Sequence, residues 1–411
     1  MYSFKDTRVF GGNKKILIDL NECLIFKILI FMISIDNNDA RIENLESEIE
    51  VEDTGVEGNL NGPFDPNDID VDISTVNLGS LLEQLEYDEI DLQPEFQRSS
   101  DVWTLVQKSR LIESILLGLP LPSFYFSEDS ASNKLLIVDG LQRLCALKDF
   151  WIDKKLKLEG MQFLTSLEGL SFFDLDRTQI RRIKSLKVTL NILRKSTPTN
   201  VKFVIFQRVN TAGEPLKPQE MRNALYQGKA TRLLKEMAEF DSFKRVTGGR
   251  VKEKRMADCD FINRFLAFYL RREKYNGELD AFLNDTLASI NVMSETEINL
   301  IKQAFDNSMD VCYQLLGNTA FRRPNPDKPN QFLKINKAIF EVLSVTIAKL
   351  SHNDQQTLIL KKLIFKELIY KLFTDEDFSK SVTSGTAKTP QVDYRFKYVN
   401  SVIEEVLYND K

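Results

Sequence analysis

Residues 133–151, NKLLIVDGLQRLCALKDFW, decide how the rest of the chain is read. Leu135, Leu136, Ile137 and Val138 form a short apolar run of the kind that makes a strand buried on both faces. Asp139-Gly140 is a turn signal, and Leu141, Leu144, Leu147 and Trp151 then recur at helical spacing. The stretch predicts a strand, a tight turn and a helix that opens with Gln142 and Arg143. A helix N-terminus carries unpaired N–H groups and about half a positive charge, which suits an anion such as phosphate. An arginine in the first turn adds a planar fork of donors. Asp139 would then hold a sugar hydroxyl, a metal-bound water or a nearby arginine. The competing reading is an ordinary strand, turn and helix with an exposed arginine.

Outward from this turn, Ser123 to Phe126 reads as a strand and Glu128 to Asn133 as the turn joining it to the central one. Before it, Trp103, Val106, Ile112, Leu116 and Leu119 lie on one side of a helix capped by Ser100 or Asp101. Gly118, Pro120 and Pro122 stop that helix. Order is expected to begin near Thr75, with a short helix through Leu78, Leu81, Leu82 and Leu85 and an extended piece at 90–92. Downstream come a short strand or turn at Phe163, a helix through Leu175 and Ile180, a strand over 186–193 and a helix over 199–209. Pro218 starts another helix. Beyond it the periodicity predicts helices only, over about 229–240, 258–273, 278–290, 295–316, 331–350, 353–375 and 391–409. RRPNPDKPN (322–330) and SKSVTSGTAKTP (379–390) read as loops, and there is no internal repeat.

Composition narrows the classes. At 43% apolar and 28% charged, the 411 residues suit a soluble globular protein with one or two domains. Cys23, Cys145, Cys259 and Cys312 are far apart, so neither a zinc site nor a disulfide framework is expected and a reducing cytoplasm fits. The lone histidine, His352, argues against histidine-metal centres and Ser-His-Asp triads. The net charge of −5 hides an asymmetry: residues 36–72 hold 13 acids and one base, leaving the remainder, with 47 acids and 54 bases, at +7. A basic body with an acidic tail is compatible with a polyanionic partner.

Residues 17–35 are apolar but broken by Asp19, Glu22 and Lys27, which argues against a membrane span. Residues 1–31 are expected to be an upstream over-extension of the reading frame, with Met32 a natural start. High charge with a single aromatic, Phe64, predicts disorder over 36–72. The expected domains are an acidic, mostly disordered tail (1–74), an α/β domain (75–228) and a helical domain (229–411). The fold class is α+β.

Three blocks carry a resemblance: LQPEFQR through LPSFYF (92–126), LLIVDGLQRLCALKDF (135–150) and FQRVNTAGEPLKPQEMRNALYQG (206–228). In content and order they resemble the N-terminal domain of GmrSD-type restriction systems, also called domain of unknown function 262. That resemblance implies a mixed α/β fold of the ParB and sulfiredoxin kind. It further implies binding, and in some members hydrolysis, of a nucleoside triphosphate with magnesium, in the service of attack on phage DNA. Carried over residue by residue, the family's DGQQR element falls on Asp139, Gly140, Leu141, Gln142 and Arg143, with Leu141 where glutamine is usual. Its PxxQR element falls on Pro94, Gln97 and Arg98. Its FxRxNxxGxPL element falls on Phe206, Arg208, Asn210, Gly213, Pro215 and Leu216, followed by Arg222 and Asn223.

Phosphoanhydride hydrolysis needs charge neutralisation, a placed water and a stabilised leaving group. Asp139, Gln142 and Arg143 are the candidate catalytic group, with Asp139 also the candidate magnesium contact. Gln97, Arg98, Gly140, Arg208, Asn210, Arg222 and Asn223 are the candidate nucleotide and phosphate contacts, and the arginines are expected to meet in one cleft. No GxxxxGK[ST] sequence is present, which excludes a P-loop. Two basic clusters, containing Arg181, Arg182 and Lys184 and then Arg250 and Lys252, are candidate DNA contacts. With one histidine, an HNH nuclease centre is not expected here, so a separate nuclease or defence protein is the expected partner. The alternatives are a non-catalytic module that binds modified DNA or regulates a partner, and a ParB-like nuclease.

Overall fold

Alternation in VDISTVN makes Val71–Asn77 an edge strand (β1), and the leucine spacing that follows makes Leu78–Glu86 a helix (α1) that buries Leu78, Leu81, Leu82 and Leu85. The computed structural model describes residues 48–55, 68–92, 103–128, 134–209, 216–252, 254–325 and 331–408. Next come Ile90–Asp91 (β2), Leu105–Leu117 (α2), Phe124–Glu128 (β3), Leu135–Asp139 (β4), Leu141–Leu147 (α3), Arg177–Ser185 (α4) and Lys187–Leu193 (β5). Thr199–Val209 (α5) and Pro218–Leu225 (α6) complete this half.

The five strands form one mixed sheet in the order β1-β5-β3-β4-β2. β3 is parallel to β5 and antiparallel to β4, whereas β2 runs parallel to β4 with Asp91 opposite Leu136. Period-two alternation sends neighbouring residues of β4 to opposite faces. Ile137 joins a core with α1, α2, α3 and α4, while Val138 packs in a smaller cluster with Leu193, Phe203 and Phe206 of α5, and Met221 of α6. α2 is capped by Thr104, whose hydroxyl accepts from the Gln107 amide while the Gln107 side chain accepts from Thr104, and it ends at Gly118 with φ 78°. The cap expected at Ser100 or Asp101 lies outside the described residues.

The helical half runs through Lys229–Ala238 (α7), Asp241–Val246 (α8), Ala257–Arg271 (α9), Leu279–Asn291 (α10) and Glu295–Leu316 (α11). It continues with a hairpin of Arg322–Pro324 (β6) and Phe332–Ile335 (β7), then Lys337–Ala348 (α12), His352–Leu360 (α13), Lys362–Leu372 (α14), Glu376–Ser381 (α15) and Thr389–Tyr408 (α16). Phe243, Phe261, Phe265, Phe305 and Phe340 interlock at its centre at ring-centroid distances between 4.8 and 6.1 Å. The Phe residues here are therefore core, as their spacing suggests. No helix among the described residues is long and apolar enough to cross a membrane.

Several elements differ from the sequence reading. Arg322–Pro324 and Phe332–Ile335 pair as antiparallel strands where a loop and a helix start are expected, and α12 begins only after Asn336, which caps it through the Ile339 amide. The helix expected over 353–375 is two, divided at Lys361, and α15 enters the expected loop at 379. Disorder does not extend through the acidic tail: residues 48–55 lie on the helical half, and β1 begins at Val71 rather than Thr75. Where 1–31 is concerned, the over-extension reading falls outside the described residues.

One carboxylate organises the segment that follows α3. Glu113 of α2 is 3% exposed and accepts the backbone N–H groups of Gln162, Phe163 and Leu164 at 2.7–3.2 Å. Glu113→Gln turns one acceptor into an NH2 group facing these donors, and should lower the unfolding free energy by about 2 kcal/mol. Urea denaturation checks this; a loss below about 0.5 kcal/mol would mean that the anchor contributes little.

Candidate functional site

The strand-to-helix turn is closed by a glycine that nothing else can replace. Gly140 has φ 104°, and a Cβ there would lie 2.5 Å from the Phe124 ring. Tyr125 of β3 stands opposite Asp139, so the chain entering β3 passes directly beside the turn. Arg143 takes advantage of this. Its guanidinium lies 4.5 Å from the centroid of the Phe124 ring and donates to the carbonyls of Pro122 and Ser123, the latter at 3.2 Å. It also donates to Asp139 Oδ2 at 3.0 Å. Arg143 is 8% exposed, and burial pulls its pKa down against the attraction of Asp139.

These bonds direct the Arg143 fork inward to the β3 entry and to Asp139. Asp139 itself stays partly accessible, with 28% of its side chain exposed. Burial raises its pKa, while Arg143 and the Gly140 amide pull it the other way. Gln142 sits half-buried beside it, its carbonyl oxygen shielded from solvent.

The other motifs approach this turn through the sheet. Phe206 of α5 and Met221 of α6 pack with Val138, the residue before Asp139. Leu141 bridges the two larger cores, touching both the α/β and the helical cluster. β2 runs parallel to the start of β4, with Ile90 opposite Leu135 and Asp91 opposite Leu136. Gln97, Arg98 and Asn210 lie outside the described residues. Arg208 is exposed near the end of α5.

Arg222 and Asn223 are buried in α6, and Arg222 belongs to a different set of partners from Arg143. Its Nε donates to Asn284 at 3.0 Å, its Nη2 pairs with Asp280, and its Nη1 lies 3.9 Å from Asp260. The two arginines therefore share no partner. Arg222 lines a cavity of about 400 Å³ between α6, α9, α10 and α12, together with Gln219, Arg255, Arg264, Lys337 and Glu52. Gln219 is 2% exposed; its oxygen accepts from Asn263 at 3.2 Å, and its Nε2 has no hydrogen-bond partner.

This polar cavity escaped the sequence reading. A signal was present: ADCDFINRF places Asp260 and Arg264 four apart in an otherwise phenylalanine-rich helix, now a buried polar stripe on α9. Lys337 donates to Asp260 at 2.5 Å. Burial opposes ionisation of Asp260, yet Lys337, Arg264 and Arg222 outweigh it and hold the carboxyl down at about 2.

Of the candidate DNA contacts, Arg181 and Lys184 are exposed beside a shallow groove with Arg177, and Arg182 donates to the Leu116 carbonyl at 2.9 Å. Arg250 and Lys252 are exposed, and Arg250 pairs with Glu48 at 2.7 Å. Among the described residues no group of three His, Cys, Asp or Glu side chains could hold a metal ion.

Residues 78–227 match the family described as GmrSD restriction endonuclease, N-terminal domain. No curated protein and no solved structure matches the chain.

Two measurements test this geometry. Arg143→Ala leaves two carbonyls and Asp139 without their donor and should cost about 3 kcal/mol of stability; a surface arginine would cost almost nothing. The Asp260 carboxyl is depressed, so its contribution is present above the ordinary value of 3.8 and is lost as pH falls toward about 2. The urea midpoint of the wild type should drop across that window, and Asp260→Asn should flatten the drop while destabilising the protein at neutral pH. Parallel profiles would refute the assignment.

Proposed function

We propose, taking residues 78–227 as a GmrSD-type N-terminal domain, that the carboxyl end of β4 binds a nucleoside triphosphate and promotes its hydrolysis within a DNA-restriction system. The observation that carries this reading is the packing of two motif segments against the end of one strand: Val138, the residue before Asp139, packs with Phe206 and Met221. A half-accessible acid beside a glycine turn is then left where the segments meet.

In this reading Asp139 receives the proton of the attacking water and Gln142 orients that water, and Asp139 would be the residue to hold magnesium. Arg143 is a positioning residue: it holds one Asp139 oxygen at 3.0 Å and aims the other. Exposed Arg208 reaches the phosphates. Magnesium would supply charge neutralisation between phosphate oxygens. A lone carboxylate fits that ion, which is commonly held by one or two carboxylates with phosphates and water completing the shell. Cutting of DNA falls to a partner nuclease, since His352 has no second histidine with which to build a histidine-metal centre. The inward engagement of Arg143 favours a second reading, in which nucleotide is bound as a signal and not turned over.

Purified protein with magnesium and each nucleoside triphosphate separates these readings by phosphate release and by equilibrium binding. Asp139→Asn should reduce turnover by about 100-fold with binding retained, and Arg208→Ala should weaken binding by about tenfold. Binding without turnover supports the signalling reading. Absence of binding, or variants indistinguishable from wild type, defeats both.

A further inference from the structure

The acidic segment EIEVED (48–53) lies on the helical half in extended form. The Glu50 amide donates to the Ile335 carbonyl at 2.8 Å and the Ile335 amide to the Glu48 carbonyl at 3.0 Å, so the segment joins the end of β7 through one parallel bridge at Ile49. Alternation then gives every second side chain the same direction, with successive carboxylates ~7 Å apart. They meet a file of arginines. Glu48 pairs with Arg250 at 2.7 Å and lies 3.9 Å from Arg322; Glu50 pairs with Arg323; Glu52 pairs with Arg264 at 2.5 Å.

The two ends of this file differ. At the inner end Arg264 keeps Glu341 and Asp260 as partners, so its charge is balanced without Glu52. Toward the outer end, no other acid among the described residues pairs with Arg250, Arg322 or Arg323. Lys334 adds a further positive charge near Glu48. The outermost pair is also loosely held, since Glu48 and Arg250 are each 47% exposed, whereas Glu50 is 22% exposed and also accepts from Asn336 at 2.9 Å. If the segment leaves, three guanidinium forks and an ammonium line one open strip.

We propose that this strip is a binding track for the phosphate backbone of a nucleic-acid single strand, and that residues 48–55 occupy it in cis as an anionic stand-in that an incoming strand displaces. Guanidinium forks accept phosphate oxygens as readily as carboxylates, and a run of them releases counterions on binding a strand. The restriction family of residues 78–227 makes nucleic acid the fitting polyanion. The track lies away from Asp139 and does not rest on the nucleotide reading; phosphate release and strand binding are separate readouts.

The test uses the full chain and a fluorescein-labelled single-stranded DNA oligonucleotide, read by anisotropy over a salt series. Glu48→Gln with Glu50→Gln uncovers the outer arginines and leaves buried Glu52 in place, so the fold is kept. This variant should bind about tenfold tighter than wild type, with a log–log salt slope steeper by about 2 for three uncovered arginines. Adding Arg250→Glu and Arg323→Glu should cancel the gain. In the wild type, saturating oligonucleotide should speed amide exchange at Glu50 and Ile335. Equal affinity of wild type and the double-glutamine variant overturns the proposal, as does unchanged exchange under saturation. A gain confined to an acidic peptide of the 48–55 sequence, with none for DNA, also overturns it and assigns the strand edge to a protein partner.

Discussion

A chain of alternating charges holds the two halves of this protein in register. It begins at Arg395 of α16, fully buried and paired with Glu341 of α12, which also receives Arg264 of α9 at 3.2 Å. From Arg264 it passes to Asp260, and from there to Lys337 and to Arg222 of α6, which closes on Asp280 of α10. Charges this deep are costly to desolvate, and such a chain is tolerated because each member has neighbours of opposite sign. Removing one leaves its partner stranded, typically at about 3–5 kcal/mol. The family-matched segment therefore does not merely precede the helices. Its last helix is ionically pinned into them.

The turn after β4 shows how register decides which partners a motif's residue finds. Asp139, Gly140 and Arg143 are brought together as their spacing suggests, yet the guanidinium points back toward the β3 entry. The reason is the register of β3 on β4, which brings two backbone carbonyls at Pro122 and Ser123 within its reach, and the Phe124 ring beneath it. Backbone carbonyls in a dry setting require donors, and Arg143 is the side chain positioned to supply them. Under the proposed function, chemistry at this turn would rest on Asp139 and Gln142, with Arg143 setting the acid's orientation.

What the sequence made legible follows from period and turn chemistry. The apolar run 135–138, the strand near 187–193 and the long helices such as Glu295–Leu316 are local signals, and they appear where their patterns lie. The hairpin Arg322–Pro324 and Phe332–Ile335 was hidden because its strands are three and four residues long and proline-flanked, too short to show a period. The ordered acidic segment was hidden for a different reason. EIEVED has the composition of disorder when considered alone, and it acquires structure only from arginines some 200 or more residues away in sequence. The residues around Arg222 in the cavity escaped similarly: Asp260, Asp280 and Lys337 come from three further helices, and no spacing rule connects them to it.

α6 belongs to both functional regions, and that has a mechanical consequence. One face of this short helix sends Met221 into the cluster under Val138, one residue from Asp139. The next residue, Arg222, enters the charge chain that runs through Arg264 to Glu52 of the acidic segment. Adjacent residues of a helix diverge by about 100°, so a rotation of α6 cannot move one without moving the other. Packed cores and ion chains respond to displacement by switching between discrete arrangements and not by yielding smoothly. Ligand bound at the end of β4 and a strand displacing Glu52 would thus act on the same rigid element from opposite sides. By reciprocity, whatever free energy links them must be felt equally at both ends.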